Sequence, residues 1–403
     1  MKFTRTYQHP QRGQGRARDL ALVVVPVLPY PTVSGAHKRT LRLLETIAQA
    51  GGRPHLLSTD RGAPGAVEAL RERGWTVERL PEARPRVGAR IAQHLLRRPS
   101  PYLGAVAARL RELAPDAAFV QLEHTQSTYY LRHCAGRPVV ASFHNVDSRM
   151  LWSIARSVRG IERARYANRA AATRTQERRA ARRADAAIVV CAADRAYFAR
   201  YARTVVEAPN GVDDEFFAID PALPPSEDLL IFANYGYKPN ELGLARFLSE
   251  GWPRLRERRP AARLLIAGRE LPPALRRRAL ETPGVQVLGY VQDLPALIAS
   301  SRVLLAPLWA GAGTKLKVLE GLASARPVVA TPDAVSNLPF RDGAHGLLGG
   351  TPAELADAAE ALLRDSGRAA ALARNGRALA ERYRWSLALA DAAALYRRLL
   401  ESR

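Results

Sequence analysis

The densest chemistry in the chain lies between Ala310 and Ala323, in the text AGAGTKLKVLEGLA. An apolar run, Val303 to Leu308, precedes it, and a second strand-like run, Val328 to Ala330, follows. The predicted order is strand, glycine-rich turn, helix, strand. Gly311, Gly313 and Thr314 would offer backbone N–H groups where the helix begins, and Lys315 and Lys317 add positive charge there. Convergent N–H and ammonium groups at a helix start form a cradle for a diphosphate. Glu320 lies near the middle of the same helix, too far along to cap it. A carboxylate in that place, beside a bound diphosphate, suits a pair of ribose hydroxyls. The motif therefore points to a nucleoside diphosphate, one that carries a sugar. An ordinary strand–turn–helix junction does not call for two glycines, a threonine and two lysines together. Lys317 alone reads equally well as a solvated helix residue.

Other polar residues close strand-like runs. His144 follows Val139 to Phe143, with Asn145 next, and Glu123 and His124 follow Ala117 to Leu122. Ligands of open parallel sheets collect at the carboxyl ends of strands. A histidine there can bond a sugar hydroxyl or steady charge on a departing diphosphate. Glu123, His124 and Asn145 can bind an acceptor or assist its deprotonation. The plainer alternative makes each a satisfied loop residue. No Asp-x-Asp occurs. Enzymes that ferry a diphosphate on Mg²⁺ generally need such paired carboxylates. The expectation is no metal and no other cofactor, with N–H groups and lysines stabilising the leaving diphosphate.

The elements that must position these residues are legible as an alternation. The chain has 403 residues, 47% of them hydrophobic, which suits two or three domains and at least two cores. Leu20 to Leu28, His55 to Ser58, Thr76 to Leu80 and the runs ending at Leu122, Phe143 and Val190 read as buried parallel strands separated by helical text. Residues 214–227 are acidic and proline-rich. The alternation restarts at Leu229 and continues through Arg263 to Ala267, Val285 to Leu288 and the cradle itself. A helix is expected over Asn240 to Leu255, and three helices close the chain. The domains expected are a basic disordered leader over 1–19, a Rossmann-like domain over 20–208 and a linker over 209–227. A second Rossmann-like domain follows over 228–383, and a terminal helix over 384–403 crosses back to the first.

Charge and cysteines set outer bounds. Lys and Arg number 61 against 38 acids, a net charge of +23. A polyanionic partner is one explanation, and an arginine-rich composition with nonspecific attraction to anionic lipid is the other. Residues 156–183 hold the densest part of the excess, ten arginines against two glutamates. No zinc-finger spacing, RNA-recognition signature or aromatic–basic platform accompanies it, so no specific nucleic acid is expected. Two isolated cysteines, Cys134 and Cys191, do not build a disulfide framework. No apolar run reaches the roughly 20 residues of a membrane span. A cytoplasmic protein, in peripheral contact with an anionic membrane, is the expectation.

From about residue 20 onwards the chain resembles the GT-B glycosyltransferases of the large retaining group called family 4. The resemblance rests on Pro209-Asn210-Gly211-Val212-Asp213, Tyr237-Lys238-Pro239-Asn240, Arg263 to Gly268, Leu288 to Asp293, Gly313 to Glu320 and Pro327 to Thr331, in that order and spacing. It implies two Rossmann-like domains facing each other across a cleft. In that family two glutamates stand with seven residues between them. Glu320 matches the second, which holds the nucleotide ribose, while the first position falls on Ala312. The Arg and Lys that neutralise the diphosphate fall on Asn234 and Asn240, so Lys315 or Lys317 would replace them. A branch that includes exopolysaccharide and capsule enzymes carries the same Gly-Thr-Lys form. Tyr290 and Val291 lie where the family frames the nucleobase. Ser34 and Gly35 lie in the loop that brings N–H groups to donor or acceptor, although Ser34 also suits a helix N-cap. Gly236, Pro239 and Asn240 shape a loop that faces the cleft.

The implied activity is transfer of a sugar from a nucleoside-diphosphate sugar to an acceptor hydroxyl. The acceptor would be a glycan, a lipid-linked glycan or a small aglycone. Three alternatives are open at this level: an epimerase of the same fold, a catalytically silent partner protein, and a basic nucleic-acid-binding protein.

Overall fold

A computed structural model describes residues 19–32, 34–60, 62–81, 104–134, 136–310 and 315–402. Nearly all of the expected leader, the helical text before Gly104 and the turn that holds Ala312, Gly313 and Thr314 lie outside them.

Among the described residues the chain builds two parallel sheets. The first pairs β1 (Leu20–Val24), β2 (Arg53–Ser58), β3 (Thr76–Arg79), β4 (Phe119–Glu123), β5 (Val139–Ser142), β6 (Ala186–Val189) and β7 (Val205–Glu207), in the order β3-β2-β1-β4-β5-β6-β7. Leu22 of β1 stands opposite His55 on one side and Val120 on the other. Successive side chains point to opposite faces, and helices cover both faces. Ala21 and Val23 thus pack with Leu44, Ile47 and Tyr396, while Leu22 and Val24 pack with Leu110, Phe143 and Phe198. That double burial is why β1 is written as continuous apolar text.

The second sheet repeats the plan with β8 (Asp228–Asn234), β9 (Arg263–Arg269), β10 (Val285–Gly289), β11 (Val303–Ala306), β12 (Val328–Ala330) and β13 (Leu347–Leu348), in the order β10-β9-β8-β11-β12-β13. Leu229 and Ile231 pack with Trp252 and Leu355; Leu230 and Phe232 pack with Phe217, Val318 and Leu319. Each sheet reverses its winding once, between β1 and β4 and between β8 and β11. A crevice opens beyond the carboxyl ends of strands at such a reversal.

Residues 209–227 are anchored rather than a loose spacer. A short helix, Asp214–Phe217, drives Phe216 and Phe217 into the core of the second sheet. The chain returns through the same place. Val212 N–H donates to Tyr383 O at 2.7 Å. Gly211 lies flat on Trp385, where a Cβ would stand 2.5 Å from the indole ring and 2.8 Å from the Trp385 Cα. Helix Ala390–Glu401 then buries Ala392, Leu395 and Tyr396 in the first core, and the Tyr396 ring stacks on Phe119 at 5.6 Å.

The helix expected over Asn240 to Leu255 is present, running from Lys238 to Arg258 with one irregular turn. Helix Lys238–Arg246 gives way to a wide turn, Phe247–Gly251, before helix Trp252–Arg258. Pro253 has no N–H to give and its ring crowds the preceding turn, so the regular ladder cannot run through it.

Candidate functional site

The carboxyl edges of the two sheets face each other across a cavity of about 970 Å³. The helix Leu316–Ala323 supplies its central residues. Val318, Leu319 and Leu322 of this helix pack into the second core. The opposite side, with Leu316, Lys317 and Glu320, is therefore left to the cavity. Lys315 is the N-cap residue and also lines the cavity.

Both lysines sit in surroundings that oppose charge. Burial lowers Lys315 to about 8 and Lys317 to about 7, with Lys315 adding repulsion at Lys317. Lys317 Nζ donates to Asn240 Oδ1 at 2.8 Å, which joins the helix to the loop after β8. A bound diphosphate would favour the protonated form of each lysine.

Glu320 is 7% exposed, and burial raises its carboxyl while Lys38 lowers it. Lys38 Nζ lies 3.2 Å from Glu320 Oε1 and 3.0 Å from Asp213 Oδ2. Arg42 Nη2 takes the other Asp213 oxygen at 2.6 Å. Burial works against the Lys38 ammonium, but the two carboxylates outweigh it and raise its pKa. Lys38 belongs to helix Gly35–Gln49 of the first domain, so this ion pair crosses the cleft. The same helix starts against the other domain: a Cβ on Gly35 would stand 2.8 Å from Leu316 Cδ1. Ser34 Oγ accepts from His37 N–H at 3.3 Å, so Ser34 is an N-cap as well as a cavity residue. Lys38 and Asp213 were not among the expected site residues. A lysine one turn beyond Ser34–Gly35 shares their side of the helix, which is the signal that was available.

The nucleobase candidates Tyr290 and Val291 follow β10 and line the far end of the cavity. Tyr290 is 59% exposed, and the Arg269 guanidinium lies 3.8 Å over its ring. Arg269, at the end of β9, was also not anticipated. Asn240 lines the cavity, but Gly236 does not. Its N–H turns back to Asn234 Oδ1 at 2.9 Å. Gly313 and Thr314 lie outside the described residues.

On the first domain's side, Gly35, His144 and Asn145 line the cavity, whereas Glu123 and His124 do not. Glu123 is fully buried behind the wall, which keeps it from touching an acceptor. Its carboxylate accepts from Gln121 Nε2 at 2.6 Å and meets His144 Nε2 at 2.7 Å. The His124 ring lies over that of His144, 3.7 Å between centroids. Among the described residues no three His, Cys, Asp or Glu side chains gather as a metal site.

Two Rossmann-like domains that face a cleft, with a carboxylate and lysines on one helix beside it, are the GT-B plan of the nucleotide-sugar transferases. Residues 33–216 match the family model Glycosyltransferase Family 4, and residues 227–365 match the model Glycosyl transferases group 1. The chain belongs to the family 4, group 1 glycosyltransferases, which move a sugar from a nucleoside-diphosphate sugar to an acceptor. No curated protein sequence matches it.

Solved structures share the fold at low identity. Sucrose-phosphate synthase from Thermosynechococcus elongatus is 16% identical, with a TM-score of 0.71 over 96% of this chain and 100% of that one. HepE from Anabaena, in complex with UDP and glucose, is 17% identical, with a TM-score of 0.67 over 93% and 98%. A glycosyltransferase from Rickettsia africae is 15% identical, with a TM-score of 0.64 over 95% and 99%.

Proposed function

We propose that the donor lies along the second domain's face of the cleft, with Glu320 holding its ribose and Lys315 and Lys317 neutralising its diphosphate. The observation that carries this is that one short helix and its N-cap, at the sheet's winding reversal, bring all three to the cavity. In this reading Asn240 steers Lys317, the turn with Gly313 and Thr314 adds N–H groups, and Tyr290 and Val291 frame the base. Gly35 brings the first domain's helix start against the donor, and His144 meets the transferred sugar. The acceptor enters on the first domain's side, past Asn145. Retention of configuration follows the family. The two lysines stabilise the leaving diphosphate in place of a metal. The domain boundaries we propose are 20–208 and 228–383, with 384–403 returning to the first.

HepE is solved with UDP and glucose and with UDP-glucose, so a uridine nucleotide is the first donor to test. Titration with UDP, GDP, ADP and dTDP is expected to select UDP. Glu320→Gln should weaken that binding about ten- to a hundredfold, as loss of a charged hydrogen-bond acceptor does. Unchanged affinity in the variant would remove Glu320 from the site.

A second feature supports peripheral contact with an anionic membrane at the cytoplasmic face. Helices Asp147–Ser157 and Gly160–Arg183 form an arginine-rich hairpin, with eleven arginines in residues 147–183 against Asp147, Glu162 and Glu177. Trp152 is 47% exposed and Ile161 77% exposed on it. Exposed apolar side chains among arginines suit a lipid interface better than nucleic acid. The protein should float with phosphatidylglycerol vesicles and not with phosphatidylcholine. Trp152→Ala with Ile161→Ser should reduce flotation several-fold, and equal flotation of that variant counts against the hairpin.

A further inference from the structure

Glu123 and His144 come from neighbouring strands, with Glu123 in register opposite Ser142 two residues before the histidine. The Glu123 carboxylate has no exposed surface, while His144 lines the cavity and its side chain keeps 7% exposure. Gln121 Nε2 donates to Glu123 Oε1 at 2.6 Å, and Thr40 Oγ1 donates to Oε2 at 3.4 Å. His144 Nε2 lies 2.7 Å from the same Oε2. Burial holds the Glu123 carboxyl above its usual value, although His124, Arg39 and Gln121 act to lower it. Against that burial stand the hydrogen bonds that Gln121 Nε2 and Thr40 Oγ1 donate to its two oxygens, each of which favours the ionised form. An ionised carboxylate can only accept, so the histidine nitrogen that meets it carries a hydrogen. Burial and Arg39 together hold the ring well below its usual pKa, so it is neutral at pH 7. A neutral imidazole with one nitrogen protonated has a lone pair on the other. The His124 ring covers one face of this imidazole, and its own backbone is left-handed, with φ at 61°.

We propose that Glu123 is a positioning residue that fixes His144 as the neutral Nε2–H tautomer, leaving Nδ1 to accept a hydrogen bond from a substrate hydroxyl in the cleft. The proposal rests on the nucleotide-sugar reading of that cleft. It separates the two tasks open to a histidine at this place. An acceptor nitrogen bonds a sugar hydroxyl, whereas phosphate oxygens present no hydrogen to it and are repelled. His144 therefore sorts hydroxyl from phosphate and leaves the diphosphate to the lysines across the cleft. A sugar lacking the hydroxyl at the contacting carbon should turn over at least about tenfold more slowly.

The test needs no ligand. Protein labelled with ¹⁵N-histidine is observed by long-range ¹H–¹⁵N correlation at about pH 7, where ring tautomers are distinct. The His144 signals are assigned from their loss in His144→Asn. The expected pattern is a neutral ring protonated at Nε2. A ring protonated at Nδ1, which would mean that Glu123 holds the proton, overturns the proposal, and so does an imidazolium. In Glu123→Gln the neutral amide no longer dictates the tautomer, so the Nδ1–H form should become a substantial fraction. A ring that stays entirely Nε2–H there removes Glu123 from its role. The wild-type spectrum decides even if that variant does not fold. Because the free protein is observed, a negative result leaves the donor site to be judged separately by UDP titration.

Discussion

At the scale of single residues, the proposed diphosphate role of the two cleft lysines predicts that donor binding depends on pH. Lys317 is held at about 7 and Lys315 at about 8, while a bound diphosphate favours both charged. Above those values the free protein lacks protons that the complex carries, so binding takes them up. Affinity for a UDP-sugar should fall as pH rises from 6 to 9, by up to about tenfold per pH unit for each lysine. Calorimetry in buffers of different ionisation enthalpy would show proton uptake, and a flat pH profile would count against the lysines. Stability of the donor-free protein runs the other way. An unfolded lysine keeps its proton up to its ordinary 10.5, so between the folded and unfolded values the unfolded chain binds more protons. Stability should therefore rise with pH across that window, measured by denaturant melts.

At the scale of elements, the contact between helix Gly35–Gln49 and helix Leu316–Ala323 sets how closely the domains approach. The Gly35 backbone φ is ordinary, and what requires glycine there is space. A Cβ meets only the tip of Leu316, 2.8 Å away, and that flexible side chain can yield. Branching at Cβ removes that freedom. Gly35→Val should cost less than about 1 kcal/mol in stability, since no core is disturbed. Turnover should fall several-fold because the helices, and with them Lys38 and Glu320, are pushed apart. Adding Leu316→Ala should restore part of the loss; a strictly additive double variant would show that the contact is not the cause.

At the scale of the whole molecule, one chain end stabilises the domain it does not follow in sequence. Trp385, Leu389, Leu395 and Tyr396 belong to the first sheet's core, though the second sheet is completed before them. Deleting residues 385–403 should leave the first domain unable to fold, giving insoluble protein or a lost melting transition. Tyr396→Ala is the milder probe. Tyr396 is fully buried against Phe119, so its truncation should cost about 3 to 5 kcal/mol, chiefly in the first domain's transition. Equal loss in both transitions would mean that the domains unfold as one unit.

The fold class was determined by the sequence itself. Strands covered on both faces are written as short apolar runs, and their alternation with helices needs no knowledge of distant residues. The Lys315–Glu320 helix was legible for the same reason, since its polar and apolar sides are set by a local period. The wide turn at Phe247–Gly251 and the anchoring of Phe216 and Phe217 were missed, because proline context and a buried partner outweighed composition. Only tertiary structure brought Lys38 to Glu320, 282 residues apart, and Lys317 to Asn240, 77 apart. It also placed Glu123 behind the wall and His144 on it, although both close strands in the same way. Strand alternation names the elements but not their order in a sheet or the closeness of two sheets. Those are fixed by which apolar faces pack together, and that packing decides which polar side chains meet.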